Sequence, residues 1–430
     1  MNENEVIRYE KFCQFKAEIR SSGNYLIVGI DVAKDRHHAF FGTAAGRTLL
    51  KRLIFDNNQA GFKQLMTRAS QLQIAHGLSR VVYGLEPTGN YHKPLSSWLL
   101  EQDQMLILVS SKAISDNRQT LDGRWDKNDT KDSANVADLV AQGKCQFFEM
   151  PETRLVQLRN LLSLRRRLKK SEHAVRMQIR NGLVTKYFPE LDRHWGSSLA
   201  ENLAIVRWCL DPRKITAMGF EEFLRQVTRR DRGIRQQNRL RRIFEAAAVS
   251  IGCPMDEAAH FEARLLSERL EKISEKIDQT EAEIKDLCDS FPAYRRLLSI
   301  PGFGPYVSAI VLARIGDPHR FIGRRQVIRL GGLDLNANRS GKRSNAAVPV
   351  ISKRGNSELR YALYQAAQIA TYHNDRFRAL FTRYLKGREN ERGIKTKMRV
   401  KLAAKMLVIA WTLMKTDTDF DPLRMEAQSR

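Results

Sequence analysis

Between residues 25 and 110 the apolar positions come in short, nearly continuous runs, and from about residue 152 they recur instead at helical spacing. Tyr25-Leu26-Ile27-Val28-Gly29-Ile30 has the length and content of a strand buried on both faces. His38-Ala39-Phe40-Phe41 and Thr48-Leu49-Leu50 read as the next strands, with Gly42 and Gly46 marking the turn between them. Asn57 and Asn58 are placed to cap a helix running through Phe62, Leu65 and Met66. Val81-Val82-Tyr83-Gly84-Leu85 is a second buried strand, followed by a helix with Leu95, Trp98 and Leu99. Met105-Leu106-Ile107-Leu108-Val109 is a further strand, and a helix is expected over about 129–142. Three strands and then alternating helix and strand predict a mixed α/β sheet.

Beyond Glu152 the pattern predicts long helices. Leu155, Leu158, Leu162, Val175 and Ile179 lie at helical spacing, and Leu266, Leu270, Ile273 and Ile277 follow the 4-3-4 spacing of a coiled-coil seam. Two such helices either pair as an antiparallel hairpin or mediate dimerisation. The stretch 188–256, with Pro189, Pro212 and Arg229-Arg230-Asp231-Arg232, reads as a helical insertion. In the last part, Ser299-Ile300-Pro301-Gly302-Phe303-Gly304-Pro305 opens a helix through Val307, Ile310, Val311 and Ala313. A polar, glycine-bearing segment follows over 331–346, then helices over 356–371 and from Lys401 to Met414. The expected division is an N-terminal extension (1–24), an α/β domain (25–150), a helical coiled-coil region with its insertion (151–290), a C-terminal domain (291–415) and a tail (416–430).

Composition narrows the function. A chain of 430 residues with 42% hydrophobic content is long enough for several cores, and no apolar run reaches the ~18–20 residues of a membrane span. Met1-Asn2-Glu3-Asn4-Glu5 does not read as a signal peptide. Cys13, Cys145, Cys209, Cys253 and Cys288 show no CxxC spacing, which argues against a zinc ribbon and for reduced thiols in the cytoplasm. Lys+Arg 73 against Asp+Glu 48 leaves +25, an excess suited to a polyanion, because phosphates neutralised by Lys or Arg release counterions. Arg165, Arg166, Arg167, Lys169 and Lys170 form the densest cationic block; Lys395, Lys397, Arg399 and Lys401 form a looser one. Each reads equally as a nucleic-acid contact or as a solvated basic face.

The candidate chemistry lies in acids. Asp31 directly follows one buried strand and Glu86 follows another, and ligands collect at the carboxyl ends of neighbouring parallel strands. Asp129 and Asp132 are three apart at a helix start, so they share a face. Each alone reads as a surface acid or a favourable charge at the helix dipole. Together they suggest a site for two Mg²⁺ ions, since hard oxygen ligands suit Mg²⁺ and an ion pair can stabilise both oxygens of an in-line phosphoryl displacement.

These residues carry a resemblance. Gly29-Ile30-Asp31-Val32-Ala33-Lys34, Glu86-Pro87-Thr88-Gly89-Asn90-Tyr91 and Asp129-Thr130-Lys131-Asp132-Ser133-Ala134 are similar to the motifs of the IS110-type DEDD transposases. So are Ile300-Pro301-Gly302-Phe303-Gly304, Ser340-Gly341 and Ile351-Ser352-Lys353-Arg354-Gly355-Asn356 with Leu359-Arg360. The match spans about 25–415, with Ser133 standing where many members have alanine. The resemblance implies an RNase H-like, RuvC-like N-terminal domain, a coiled-coil middle, and a mainly helical C-terminal transposase domain with a helix-hairpin-helix-like element. It implies Asp31, Glu86, Asp129 and Asp132 as metal-holding catalytic acids and Ser340 as nucleophile. Arg339, Lys342 and Arg343 stand near to meet phosphate, and Lys353 and Arg354 are counted with them. It further implies donor and target DNA as substrates, a structured non-coding guide RNA, and a homodimer that forms a tetramer on DNA.

Other readings stay open. From local sequence alone, Ser340 reads first as a loop-turning residue, and Ser344 and Ser352 are fallback nucleophiles. The Pro-Gly-Phe-Gly turn is either structural or a phosphate grip. A site-specific invertase of the Piv type shares these motifs, a junction resolvase would use water instead of serine, and a non-catalytic nucleic-acid scaffold fits the bulk charge.

Overall fold

The computed structural model describes residues 13–21, 23–121, 129–147, 152–194, 199–208, 210–228, 233–336 and 350–423. The chain divides into two compact units, 1–150 and 151–430.

The first unit opens with a helix over 13–21 (α1) and continues through β1 (Tyr25–Asp31), β2 (Arg36–Thr43), β3 (Thr48–Asp56) and α2 (Gln59–Ala75). Then come β4 (Arg80–Leu85), α3 (His92–Glu101), β5 (Met105–Leu108), α4 (Ser111–Leu121), α5 (Asp129–Ala141) and β6 (Gln146–Phe147). The six-stranded sheet has the order β3-β2-β1-β4-β5-β6. β1, β4 and β5 run parallel, while β2 and β3 form an antiparallel meander on one side and β6 pairs antiparallel on the other. The sheet is mixed, as the run of elements predicted.

Alternation sorts the β1 side chains between two apolar layers. Leu26, Val28 and Ile30 pack with Phe62 and Leu65 of α2 and Leu95 and Leu99 of α3. Tyr25 and Ile27 face the other way, onto Val136 and Val140 of α5 and onto Phe15 and Ile19 of α1. Those last two residues are four apart on a helix and only 4% and 0% exposed. The segment read as an extension outside the α/β domain therefore supplies part of its core.

Two glycines let α5 lie directly on the sheet. Gly29 of β1 and Gly84 of β4 are cross-strand partners. A Cβ on Gly29 would come 2.1 Å from the Ser133 carbonyl oxygen and 2.6 Å from the Ala137 amide nitrogen. One on Gly84 would come 2.6 Å from Val140 Cγ2. At Gly29 the obstacle is helix backbone, which cannot rotate aside. Gly29→Ala is therefore expected to cost about 2–3 kcal/mol of stability, read as a lower denaturant midpoint. An unchanged midpoint would show that α5 does not sit against β1 here.

The second unit is almost wholly helical. It contains α6 (Thr153–Gln178), extended by a π-helical stretch at Ile179–Val184, then α7 (Leu199–Trp208), α8 (Pro212–Met218), α9 (Phe220–Val227) and α10 (Ile234–Ala248). α11 (Glu257–Asp289), α12 (Pro292–Leu298), α13 (Pro305–Ile315) and α14 (Arg324–Leu330) follow. The chain continues with β7 (Leu335–Asn336), β8 (Val350–Ile351), α15 (Ser357–His373), α16 (Asp375–Leu385) and α17 (Ile394–Thr416). α6 and α11 run antiparallel, since Arg165 meets Glu281 while Val175 and Ile179 share a core with Leu266 and Leu270.

The seam residues Leu266, Leu270 and Ile277 are buried within the chain, so the hairpin alternative is the one realised. Two cores hang on this pair of helices. One gathers α7 to α10 around Val175–Leu270, giving the 188–256 insertion an interior of its own. The other joins Leu155, Leu158 and Leu162 to residues from Ile284 to Met414. The helical middle and the C-terminal segment, expected as separate domains, thus share a core. Phe420, in the expected tail, stacks on Phe377 at 5.9 Å.

Candidate active site

Strand alternation carries the glycine argument one step further. Asp31 lies two residues beyond Gly29, and Glu86 two beyond Gly84, so both acids emerge on the α5 side of the sheet at adjacent strand ends. Neighbouring strands are about 4.8 Å apart. α5, pressed onto the glycines, begins at Asp129 and carries Asp132 in its first turns.

Asp31, Glu86 and Asp132 line one pocket of about 410 Å³, with His38, Thr88 and Arg118 also in its wall. Three of the four predicted acids are thereby brought together. The Asp129 side chain lies outside the described residues. Among the described residues, no three His, Cys, Asp or Glu side chains are grouped closely enough to hold one ion.

Arg118 reaches into the same pocket. Its Nη2 lies 2.6 Å from Asp132 Oδ1, in a pair whose Asp132 side chain is 5% exposed and whose Arg118 side chain is 31% exposed. A carboxylate buried to this degree needs a counter-charge. The contact is an ion pair without hydrogen-bond alignment, so Oδ1 is a buried acceptor with no hydrogen bond. α4 is clamped to α5 one residue earlier. Asn117 Nδ2 donates to Asn135 Oδ1 at 2.7 Å and to Asp138 Oδ2 at 2.8 Å, and Asn135 Nδ2 donates to the Ile114 carbonyl at 2.9 Å. That polar clamp aims Arg118 at Asp132.

His37 steadies the turn after Asp31. Its Nδ1 accepts from the Ala33 amide at 3.2 Å, and its ring is buried against Phe55 and Phe62. Burial holds its pKa below the usual imidazole value, favouring the neutral tautomer this bond requires. Sequence reading missed Arg118, His37 and the glycine pair. The only local signal was that Gly29 and Gly84 both interrupt otherwise β-branched and aromatic runs.

The remaining predicted residues belong to the second unit. Arg339, Ser340, Lys342, Arg343 and the fallback Ser344 lie outside the described residues, between β7 and β8. Ser352, just after β8, donates its hydroxyl to Asp334 Oδ1 at 2.6 Å and accepts from the Arg354 amide at 3.2 Å, so its atoms build the turn. Lys353 adopts φ +55° in that turn, and both Lys353 and Arg354 are exposed.

Of the basic block, Arg165 is drawn inward: its Nη2 is 2.6 Å from Glu281 and its guanidinium lies 3.7 Å from the Tyr306 ring centre. Arg166, Arg167, Lys169 and Lys170 stay exposed, with Lys169 3.1 Å from Glu172. Gly302 has a structural duty. Its φ is +89°, and a Cβ there would come 2.4 Å from the Ala366 carbonyl oxygen.

The site residues fall within sequence patterns shared with known proteins. Residues 28–189 match the model of the DEDD transposases of the IS110 type, and residues 294–382 match that of the transposase IS116/IS110/IS902 family. The chain is 24% identical to the transposase for insertion sequence element IS1111A of Coxiella burnetii, over 95% of each chain. It is 24% identical to an uncharacterized protein of insertion element IS116 from Streptomyces clavuligerus, over 92% of this chain and 96% of that one. A pilin gene-inverting protein of Moraxella lacunata is 22% identical over 92% of this chain and 97% of its own.

Proposed function

From the chain's membership of the IS110 family of transposases, and hence its place among DNA transposases and recombinases, we propose that it exchanges DNA strands by serine attack, with divalent metal ions held by Asp31, Glu86, Asp129 and Asp132. The observation that carries this reading is the single pocket lined by three of those acids, on an RNase H-like sheet order. Its acids offer hard carboxylate oxygens, the donor type that suits a cation such as Mg²⁺, and a cation bound at Asp132 would take the place that Arg118 holds there. Two such ions, once bound, neutralise charge that builds on the phosphodiester oxygens.

The chain's own residues do the rest. Ser340 Oγ bonds to phosphorus as a deoxyribose oxygen leaves with the hydroxyl proton, joining the protein to one strand end. A hydroxyl of a second strand reverses the displacement and restores the serine. Each step trades one phosphodiester for another, so no energy source is needed.

A non-coding guide RNA would read donor and target by pairing, leaving a chain of net charge +25 to grip backbones. Work on two DNA partners calls for a homodimer that assembles as a tetramer on DNA, in the cytoplasm. No helix among the described residues is long and apolar enough to cross a membrane.

One observation favours a second reading, site-specific inversion: the Moraxella pilin gene-inverting protein aligns over nearly the whole chain. The test incubates purified protein with Mg²⁺ and both DNA partners, with and without RNA transcribed from the flanks of the gene. Joined products only with RNA are expected. Equal joining without it would favour inversion, and no joining with any RNA would sink the guided reading.

A further inference from the structure

One flank of α15 is left uncovered. Tyr361, Gln365, Ile369 and Tyr372 follow at steps of four, four and three, which places them on one helix face. Tyr361, Ile369 and Tyr372 are 63%, 48% and 58% exposed, whereas Leu359, Leu363 and Ala366 on the opposite flank fill the core. The two tyrosines are separated by about 16 Å along the axis.

At the Tyr372 end a cation is held between rings. The Arg399 guanidinium lies 5.7 Å from the Tyr372 ring centre and 5.6 Å from that of Phe381, and its Nη2 donates to the Tyr372 hydroxyl at 3.2 Å. Lys395, one turn before Arg399 on the same helix, is exposed.

Open aromatic faces, a guanidinium beside one of them and a lysine one turn away make a combined demand. A nucleobase satisfies the rings by stacking, and the phosphate beside it meets the Arg399 guanidinium and Lys395. A duplex keeps its base faces hidden in the stack. An apolar protein surface would cover Ile369 but leave the cations without counter-charge. We propose that the Tyr361–Tyr372 flank of α15, together with Arg399, is a stacking platform for an unpaired nucleic-acid strand.

The test is fluorescence anisotropy in EDTA at fixed salt, with labelled oligothymidylate, labelled oligouridylate and a blunt duplex of equal phosphate count. The Tyr361→Ala/Tyr372→Ala double variant is expected to bind single strands about ten-fold or more weakly. Tyr361→Phe/Tyr372→Phe should stay within about two-fold of wild type, because the ring survives. Duplex affinity should not change, and exposed positions leave the circular dichroism melt unchanged. A larger loss on oligouridylate assigns the platform to RNA, and a larger loss on oligothymidylate assigns it to DNA.

Equal losses on single strand and duplex would reduce the flank to a charge patch and overturn the proposal. Unchanged binding would do so as well, and if it came with a halved sedimentation mass the flank would be a face for a second copy of the chain. The assay needs neither metal nor strand cleavage, so its failure is separate from failure of the strand-exchange reading.

Discussion

Asn in place of Asp31 is expected to slow metal-dependent DNA strand cleavage by on the order of 10³-fold while the protein stays folded. Asp31 ends the strand that Gly29 presses against α5, and it shares a pocket with Glu86 and Asp132. Asparagine keeps its shape and one carbonyl oxygen but removes the negative charge. On the proposed reading, the main loss is attraction for a divalent cation. The readout is single-turnover nicking of end-labelled DNA across a Mg²⁺ titration, with the melting curve as control.

A partial rescue at higher metal concentration would agree with a weakened site. Wild-type nicking in the variant would remove Asp31 from the chemistry, and with it the case for the pocket. A parallel loss in Arg118→Ala would not test the same thing. That variant leaves the buried Asp132 without its counter-charge, and the expected effect includes stability.

The acids were legible because they sit at the ends of elements whose pattern is strong. The runs over 25–30 and 81–85 are dense enough to mark buried strands, and their last residues put Asp31 and Glu86 in matching places. The helix expected from about 129 begins at Asp129. What escaped depends on pairs far apart in the chain. The close approach of α5 rests on Gly29 being opposite Gly84, a matter of strand register that neither run reveals. Arg118 meets Asp132 only because Asn117 ties α4 to α5.

In the same way, spacing leaves a basic block even between a nucleic-acid contact and a solvated face, and does not show that Arg165 meets Glu281, more than a hundred residues away. In α1, Phe15 and Ile19 are interleaved with Lys16, Glu18 and Arg20, so two apolar residues were the whole signal of a core helix. Leu266 and Leu270 of the expected seam pack against Val175 and Ile179 of the chain's own helical hairpin, a pairing that spacing alone does not choose.

Ser340→Ala is expected to abolish covalent protein–DNA adducts while nucleic-acid binding stays near wild type. The serine competes with one described alternative. Ser352 is polar, close in sequence and set among cations, but its hydroxyl hydrogen is committed to Asp334 and its oxygen accepts from the Arg354 amide. Attack by Ser352 would have to give up the bond from the Arg354 amide and open the turn that carries Lys353 in a left-handed conformation. Ser352→Ala should therefore keep its adducts and lose stability instead, by about 1–2 kcal/mol for the two bonds.

Nicked suicide substrates trap the adduct on a denaturing gel, and peptide mass analysis names the bonded residue. Adducts that persist in Ser340→Ala and vanish in Ser352→Ala would transfer the nucleophile to the turn. Asp334 would then be the group that accepts its proton. Nicking in the wild type with no adduct under any trapping condition would mean water attacks, and the chain would cut in the manner of a resolvase. The acids would keep their proposed role in that case, because metal ions held there would serve either nucleophile. The two variants at positions 31 and 340 thus separate the site that lowers the barrier from the group that makes the bond.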